Sequence, residues 1–154
     1  MLPVRESFNF STEVRVRLPE TDAFGIVFHG YFYTYFDVAR MDYLRNLGMA
    51  DSIHPTRGFM NTIVSASAVF KSLARFDDIL VVYARVAEIG ITSFRFEFLI
   101  WHKRENRLVA TGETVHVAID AVTWRPIPVP EGFRQVIRTF ERDRLTERTA
   151  PRPP

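Results

Sequence analysis

YFYTYFDVARMDYLRNLG, residues 31–48, is the stretch on which the fold turns. Phe32, Tyr35, Phe36, Ala39, Tyr43 and Leu47 recur at helical steps and mark one apolar face of an α-helix. Asp37, Arg40, Asp42 and Arg45 fall largely off that stripe, and Gly48 stands where a helix takes its C′ glycine. The stripe is wide and aromatic. Such a helix is expected to be embraced by a sheet rather than to lie on a surface.

On either side of it the period shortens. Residues 13–18, EVRVRL, alternate charged and apolar side chains and predict a short strand closed by Pro19. Residues 20–30 form a turn and connector, and residues 50–60 a loop punctuated by Pro55 and Gly58. Residues 63–73 and 79–89 read as strands. In residues 92–102, Phe94, Phe96, Phe98 and Ile100 face one way and Arg95, Glu97, Leu99 and Trp101 the other. Residues 107–120 alternate as well, with Val109, Thr111, Glu113, Val115, Val117 and Ile119 on one side. The links at 77–78, 89–90 and 104–106 are short, so neighbouring strands are expected to be antiparallel. Pro126, Pro128 and Pro130 mark a stop, and residues 131–145 predict a final helix. The order is strand, long helix, then strands, with no internal repeat. That order predicts an α+β fold of one domain over residues 1–148, with residues 149–154 a disordered tail.

The totals bound the function. A chain of 154 residues, 47% hydrophobic and 14% aromatic, can fill one core. No apolar run is long enough to span a bilayer, and the first residues lack the basic and apolar regions of a secretory signal. Cysteine is absent, which removes disulfides, thiolate metal sites and cysteine nucleophiles together. A cytoplasmic protein without a membrane partner is the expectation. The formal net charge is +2, and most arginines are interleaved with acids, as in ERDRLTER. That pattern describes a mixed solvated surface rather than a nucleic-acid-binding face.

The chemistry is reached largely by elimination. There is no G-x-S-x-G, no P-loop and no G-x-G-x-x-G. His29, His54, His102 and His116 are not paired at metal-ligand spacing, so no metal site is expected, and His54, His102 and His116 read as structural or solvent-facing. What remains is ETDAFGIVFHG, residues 20–30. Asp22 lies in an apolar setting, Gly25 permits a backbone turn closed to other residues, and His29 and Gly30 sit at the start of the long helix. N–H groups there have no intrahelical acceptor and can polarise a carbonyl. An acid beside them makes an acyl-transfer site without serine, cysteine or metal. The plainer alternative is that Asp22 only caps the helix.

ETDAFGIVFHGYF followed by FDVAR resembles the 4-hydroxybenzoyl-CoA thioesterase family of hotdog-fold proteins, especially its bacterial acyl-CoA thioesterase branch. The resemblance continues through ARFDDILVVYARVAEIGITSFRFEFLI and RLVATGETVHVAID, so it spans residues 11–133. It implies a hotdog fold, a curled antiparallel sheet of about five strands wrapped around a long central helix. It implies homodimers or homotetramers with sites at the dimer interface, and hydrolysis of an acyl-CoA to free acid and CoA. No cofactor is implied, since CoA is part of the substrate. Asp22 takes the place of the catalytic acid, as general base or nucleophile, with the oxyanion-binding backbone at His29 and Gly30. Gly25, Tyr31, Phe32, Ser65 and Ser67 are the implied substrate contacts, and Lys71 and Arg75 the candidates for the CoA phosphates. Tyr31 stands where the family often has a small residue or Asn, and Asp37 where it has Glu, so Asp37 reads as an ion-pair partner of Arg40. The alternatives are release of an acyl or polyketide product from an acyl-carrier protein, and non-catalytic acyl-CoA binding.

Overall fold

The computed structural model describes residues 3–49 and 59–150. His54, most of the expected 50–60 loop and residues 151–154 of the expected tail lie outside the described residues. In chain order the elements are β1 (Ser11–Arg15), α1 (Tyr31–Asn46), β2 (Met60–Phe70), β3 (Ile79–Ile89), β4 (Ser93–His102), β5 (Arg107–Ile119), α2 (Glu131–Glu141) and β6 (Thr146–Glu147). The sheet runs β1-β3-β4-β5-β2, with every pair along that path antiparallel. It curls around α1, which is the hotdog arrangement. Among the described residues no helix is long and apolar enough to cross a membrane.

The aromatic stripe of α1 fills the curl. Phe36 stacks on Phe98 with centroids 4.7 Å apart, and Tyr43 meets Phe96 edge-on at 5.4 Å. The side of β5 turned to the helix is the one rich in small residues, Ala110, Gly112 and Ala118, with Thr114 and His116 between them. Gly112 shows why. A Cβ there would lie 2.3 Å from the Phe36 ring and 3.0 Å from the Ser67 carbonyl, so the helix can sit this close only over glycine. At its far end α1 closes as expected on Gly48, with the Gly48 N–H donating to Arg45 O at 3.0 Å and Met49 N–H to Leu44 O at 2.7 Å.

Three expectations change. The first strand lies at Ser11–Arg15, and Pro19 opens a 3-10 turn at Leu18–Glu20 rather than closing a strand. Its fixed φ and missing N–H suit the first turn of a helix. The final helix ends at Glu141, because Arg142 takes a positive φ of 55° and redirects the chain so that β6 pairs parallel with β3 at Glu88 and Ile89. The link at 77–78 does not join neighbours, since β2 pairs with β5 and lies on the far edge from β3. The chain between them is a crossover. Lys71 and Ser72 both donate N–H groups to Val109 O, Ala74 O accepts from Val27 N–H at 2.9 Å, and Asp78 O accepts from Val16 N–H at 2.9 Å. This crossover brings Arg75 to the connector in front of α1, which a hairpin between β2 and β3 would not do.

Candidate active site

The connector before α1 is itself a hairpin. Asp22 N–H donates to Ile26 O at 2.8 Å, Phe28 N–H to Glu20 O at 2.9 Å, and Thr21 bridges Val27. Gly25 makes the turn with φ +74°, and its N–H donates to Asp22 O at 3.0 Å. The outer side of the hairpin is held by the crossover, through Val27 to Ala74 and a bridge between Ile26 and Arg75.

The base of the hairpin is pinned to α1 by Glu20, a residue the sequence did not single out. Its side chain accepts Arg17 N–H, Arg17 Nε–H and the Tyr35 hydroxyl, each at 2.8 Å. Glu20 is 3% exposed. Burial alone would raise its pKa, but the hydrogen bonds from Arg17 and Tyr35 outweigh it and hold the carboxyl below the usual range. The Tyr35 hydroxyl is pushed up, first by burial and then by that carboxylate.

Asp22 does not cap α1. The helix has Gly30 at its N-cap and no side-chain cap. Asp22 Oδ1 instead accepts Phe24 N–H at 2.8 Å, closing an Asx turn within the hairpin. Among the described residues Oδ2 has no donor. His29 and Gly30 complete the arrangement. The N–H groups of Tyr31, Phe32 and Tyr33 donate to Phe28 O, His29 O and Gly30 O. Those of His29 and Gly30 have no acceptor among the described residues. One short segment thus carries an acid with a free oxygen and two adjacent free N–H donors at the positive end of a helix.

The other expected site residues fall in different settings. The His29 ring is exposed and packs against Phe28, with centroids 4.3 Å apart, and against Phe70 at 6.4 Å. Tyr31 is half-buried at the first helical position, while Phe32 is buried against Tyr35 and Phe70. Ser65 and Ser67 are exposed on β2, the edge strand, opposite Val115 and Glu113. Lys71 and Arg75 are exposed on the crossover. Asp37 pairs with Arg40, Oδ1 lying 2.6 Å from Nη2. Among the described residues no group of three or more His, Asp or Glu side chains is placed to hold a metal ion.

A cavity farther along α1 was not foreseen. It is lined by Tyr33, Phe36, Asp37 and Arg40 of α1 together with β2, Phe98 and Thr114. Helical spacing puts Tyr33 and Asp37 off the apolar stripe; only the edge strand beside them makes their flank a wall.

Comparison with known proteins places the chain in a family. The thioesterase-like superfamily model matches residues 16–137. The chain is 31% identical to the acyl-CoA thioesterase YbgC of Haemophilus influenzae over 124 residues, 79% of this chain and 89% of that protein. Among solved structures it is similar to the 1,4-dihydroxy-2-naphthoyl-CoA thioesterase Slr0204 of Synechocystis, with a TM-score of 0.77, 25% identity and coverage of 83% and 94% of the two chains. A thioesterase of Thermus thermophilus complexed with coenzyme A and Zn matches with a TM-score of 0.76, 26% identity and coverage of 88% and 97%. The fold is that of the hotdog thioesterases, and the chain belongs to the thioesterase-like superfamily.

Proposed function

We propose that this chain hydrolyses an acyl-CoA thioester, with the carbonyl oxygen bound by the N–H groups of His29 and Gly30. The observation that carries the reading is that these two donors are free at the start of a helix of 16 residues, on the same segment as the free oxygen of Asp22. As the carbonyl becomes tetrahedral its oxygen gains negative charge, which these donors and the helix dipole stabilise. Asp22 takes a proton from a water molecule as that water attacks the carbonyl carbon. The C–S bond then breaks, its electron pair leaves with sulfur, and the CoA thiolate is protonated. Direct attack by Asp22, giving an anhydride that water opens, uses the same groups and yields the same products.

The surroundings support a larger site. Arg75 bridges the hairpin through its backbone and Lys71 opens the same crossover, which supports a role for both cations in binding the CoA phosphates. The free edge of β2 exposes Ile63, Val64, Val69 and Phe70 and pairs with that of a second copy, which brings the partner's Ser65 and Ser67 toward the substrate.

Thiol release from a panel of acyl-CoAs, measured for wild type and Asp22→Asn, tests this reading. Turnover by wild type that collapses in the variant is the expected result. Equal rates would remove Asp22 from the chemistry, and no wild-type turnover of any CoA thioester would overturn the function.

A further inference from the structure

The two halves of the reaction machinery sit on different elements. Asp22 rides on the hairpin of residues 20–28, and the free N–H groups of His29 and Gly30 belong to the start of α1. Packing does not hold the hairpin tip. Phe24 is 87% exposed there, and a Cβ added at Gly25 would meet nothing within 4 Å. The crossover steadies the outer side, with Val27 N–H donating to Ala74 O at 2.9 Å. What ties the base of the hairpin to α1 is a side-chain bond.

That bond runs from the Tyr35 hydroxyl to Glu20 Oε2, at 2.8 Å, with both partners buried. Among the described residues no other side-chain hydrogen bond joins residues 20–28 to α1. The carboxylate has one place to be. Its Oε2 also accepts Arg17 N–H and its Oε1 accepts Arg17 Nε–H, so it is gripped on both oxygens. Held ionised by these bonds, it only accepts, and the tyrosine donates. The Tyr35 ring is fixed as well, edge-on to Phe32 with centroids 6.0 Å apart. Along the backbone, Glu20 O accepts the N–H of Phe28, the last residue before His29. Glu20 thus ties the two ends of the hairpin to each other and both to the helix.

We propose that Tyr35 and Glu20 are positioning residues for the hydrolysis: their hydrogen bond fixes the separation between the Asp22 carboxylate and the N–H groups of His29 and Gly30, so that acid and oxyanion donors meet one carbonyl together. Neither residue touches the substrate. An acid displaced by about 1 Å loses on the order of 10²-fold in rate. The effect falls on kcat and passes through Asp22. The role rests on the hydrolase reading above. The far end of α1 supplies a matched control. There Tyr43 donates to Glu141 Oε1 at 2.6 Å, about 12 Å farther along the helix, again with both partners buried. Losing either hydroxyl removes one buried bond from tyrosine to glutamate, but only the first is joined to the segment that carries Asp22.

CoA release and amide hydrogen exchange are measured for wild type, Tyr35→Phe, Tyr43→Phe, Asp22→Asn and the double variant of Tyr35→Phe with Asp22→Asn, using the acyl-CoA that wild type turns over fastest. Tyr35→Phe is expected to lower kcat by about tenfold or more with KM within about twofold, while Tyr43→Phe leaves kcat within about twofold. In the Asp22→Asn background Tyr35→Phe costs nothing further, because the carboxylate it positions is already gone. The amides of Asp22, Val27 and Phe28 exchange about tenfold faster in Tyr35→Phe and at the wild-type rate in Tyr43→Phe. Equal kcat losses in the two tyrosine variants, no loss in Tyr35→Phe, or a full loss persisting beside Asp22→Asn overturns the proposal. Should Tyr35→Phe not fold, Glu20→Asp, which keeps the charge and draws it back by one methylene, takes its place with the same expected loss, and an unchanged kcat overturns the proposal. If wild type turns over no acyl-CoA, the hydrolase reading falls by itself; the exchange rates then decide whether this bond fixes the hairpin, and equal rates in the two tyrosine variants overturn that as well.

Discussion

The two ends of α1 each carry a tyrosine hydroxyl donating to a buried glutamate, and the two pairs behave oppositely. Near the start, Tyr35 donates to Glu20 at 2.8 Å; near the end, Tyr43 donates to Glu141 at 2.6 Å. Glu20 is held below its ordinary pKa, whereas burial pushes Glu141 above it. The hydrogen bond is the same kind in both, so it does not decide the sign. Arg17 does, by giving Glu20 both a backbone N–H and a guanidinium. Glu141 has Tyr43, the Val86 backbone and the Asn9 amide, which donates at 3.3 Å, but no guanidinium bonded to it; Arg85 acts on it only through its charge. The first pair anchors the hairpin that carries Asp22, two residues away. The second ties α2 to α1 and leaves α1 no free function at that end, where Gly48 and Met49 close its carbonyls.

The sharpest separation of the two ends is Asp22→Asn. The amide still accepts Phe24 N–H and keeps the Asx turn, so stability should be unchanged while kcat falls about 10³-fold, read as CoA release. Midway along α1, Gly112→Ala forces a methyl into the Phe36 ring and should lower unfolding free energy by about 3 kcal/mol in urea titrations. His116 titrates beside the same stretch of helix, facing Arg40 and Asp37. Its pKa falls from 6.5 to about 4 on folding, so its contribution is complete above about 6.5. It is lost as pH drops toward 4, because the unfolded chain binds a proton the folded one refuses. The loss is about 3 kcal/mol, and His116→Gln should flatten that part of the stability profile.

The glutamates give the smaller effects and test the comparison directly. Glu20→Gln should destabilise by about 2 kcal/mol at pH 7. In wild type that contribution is present above the unfolded value of about 4.3 and fades as pH falls through the lower folded value. Glu141→Gln should be within about 1 kcal/mol of wild type at pH 7, since it removes a carboxylate that burial already disfavours. In wild type the Glu141 penalty shrinks as pH falls toward its raised folded value. Urea midpoints across pH for both variants check this, and parallel responses would break the contrast.

The periodic elements were legible because their signals are local. Alternation set the buried side of β4, with Phe94, Phe96, Phe98 and Ile100 all inside. Helical spacing set α1 and its glycine stop. The segment 20–30 could be singled out because acid, glycine and helix start are neighbours in the chain. Its hairpin was not legible, nor was the Asx turn that leaves Asp22 Oδ2 free, since these depend on which backbone groups find partners.

The amino-acid sequence by itself determined the period of each element, the aromatic filling of the curl and the acid set before a helix. Only the tertiary structure decided which edge β2 occupies, that the chain crosses over rather than turning back, and that Glu20 is locked while Asp22 is not. It alone joined Tyr43 to Glu141, 98 residues apart, and His116 to Asn61, 55 apart. Such pairs have no periodic trace. Each forms because burial leaves a polar atom no water, and the partner it then finds is set by how the sheet closes around the helix.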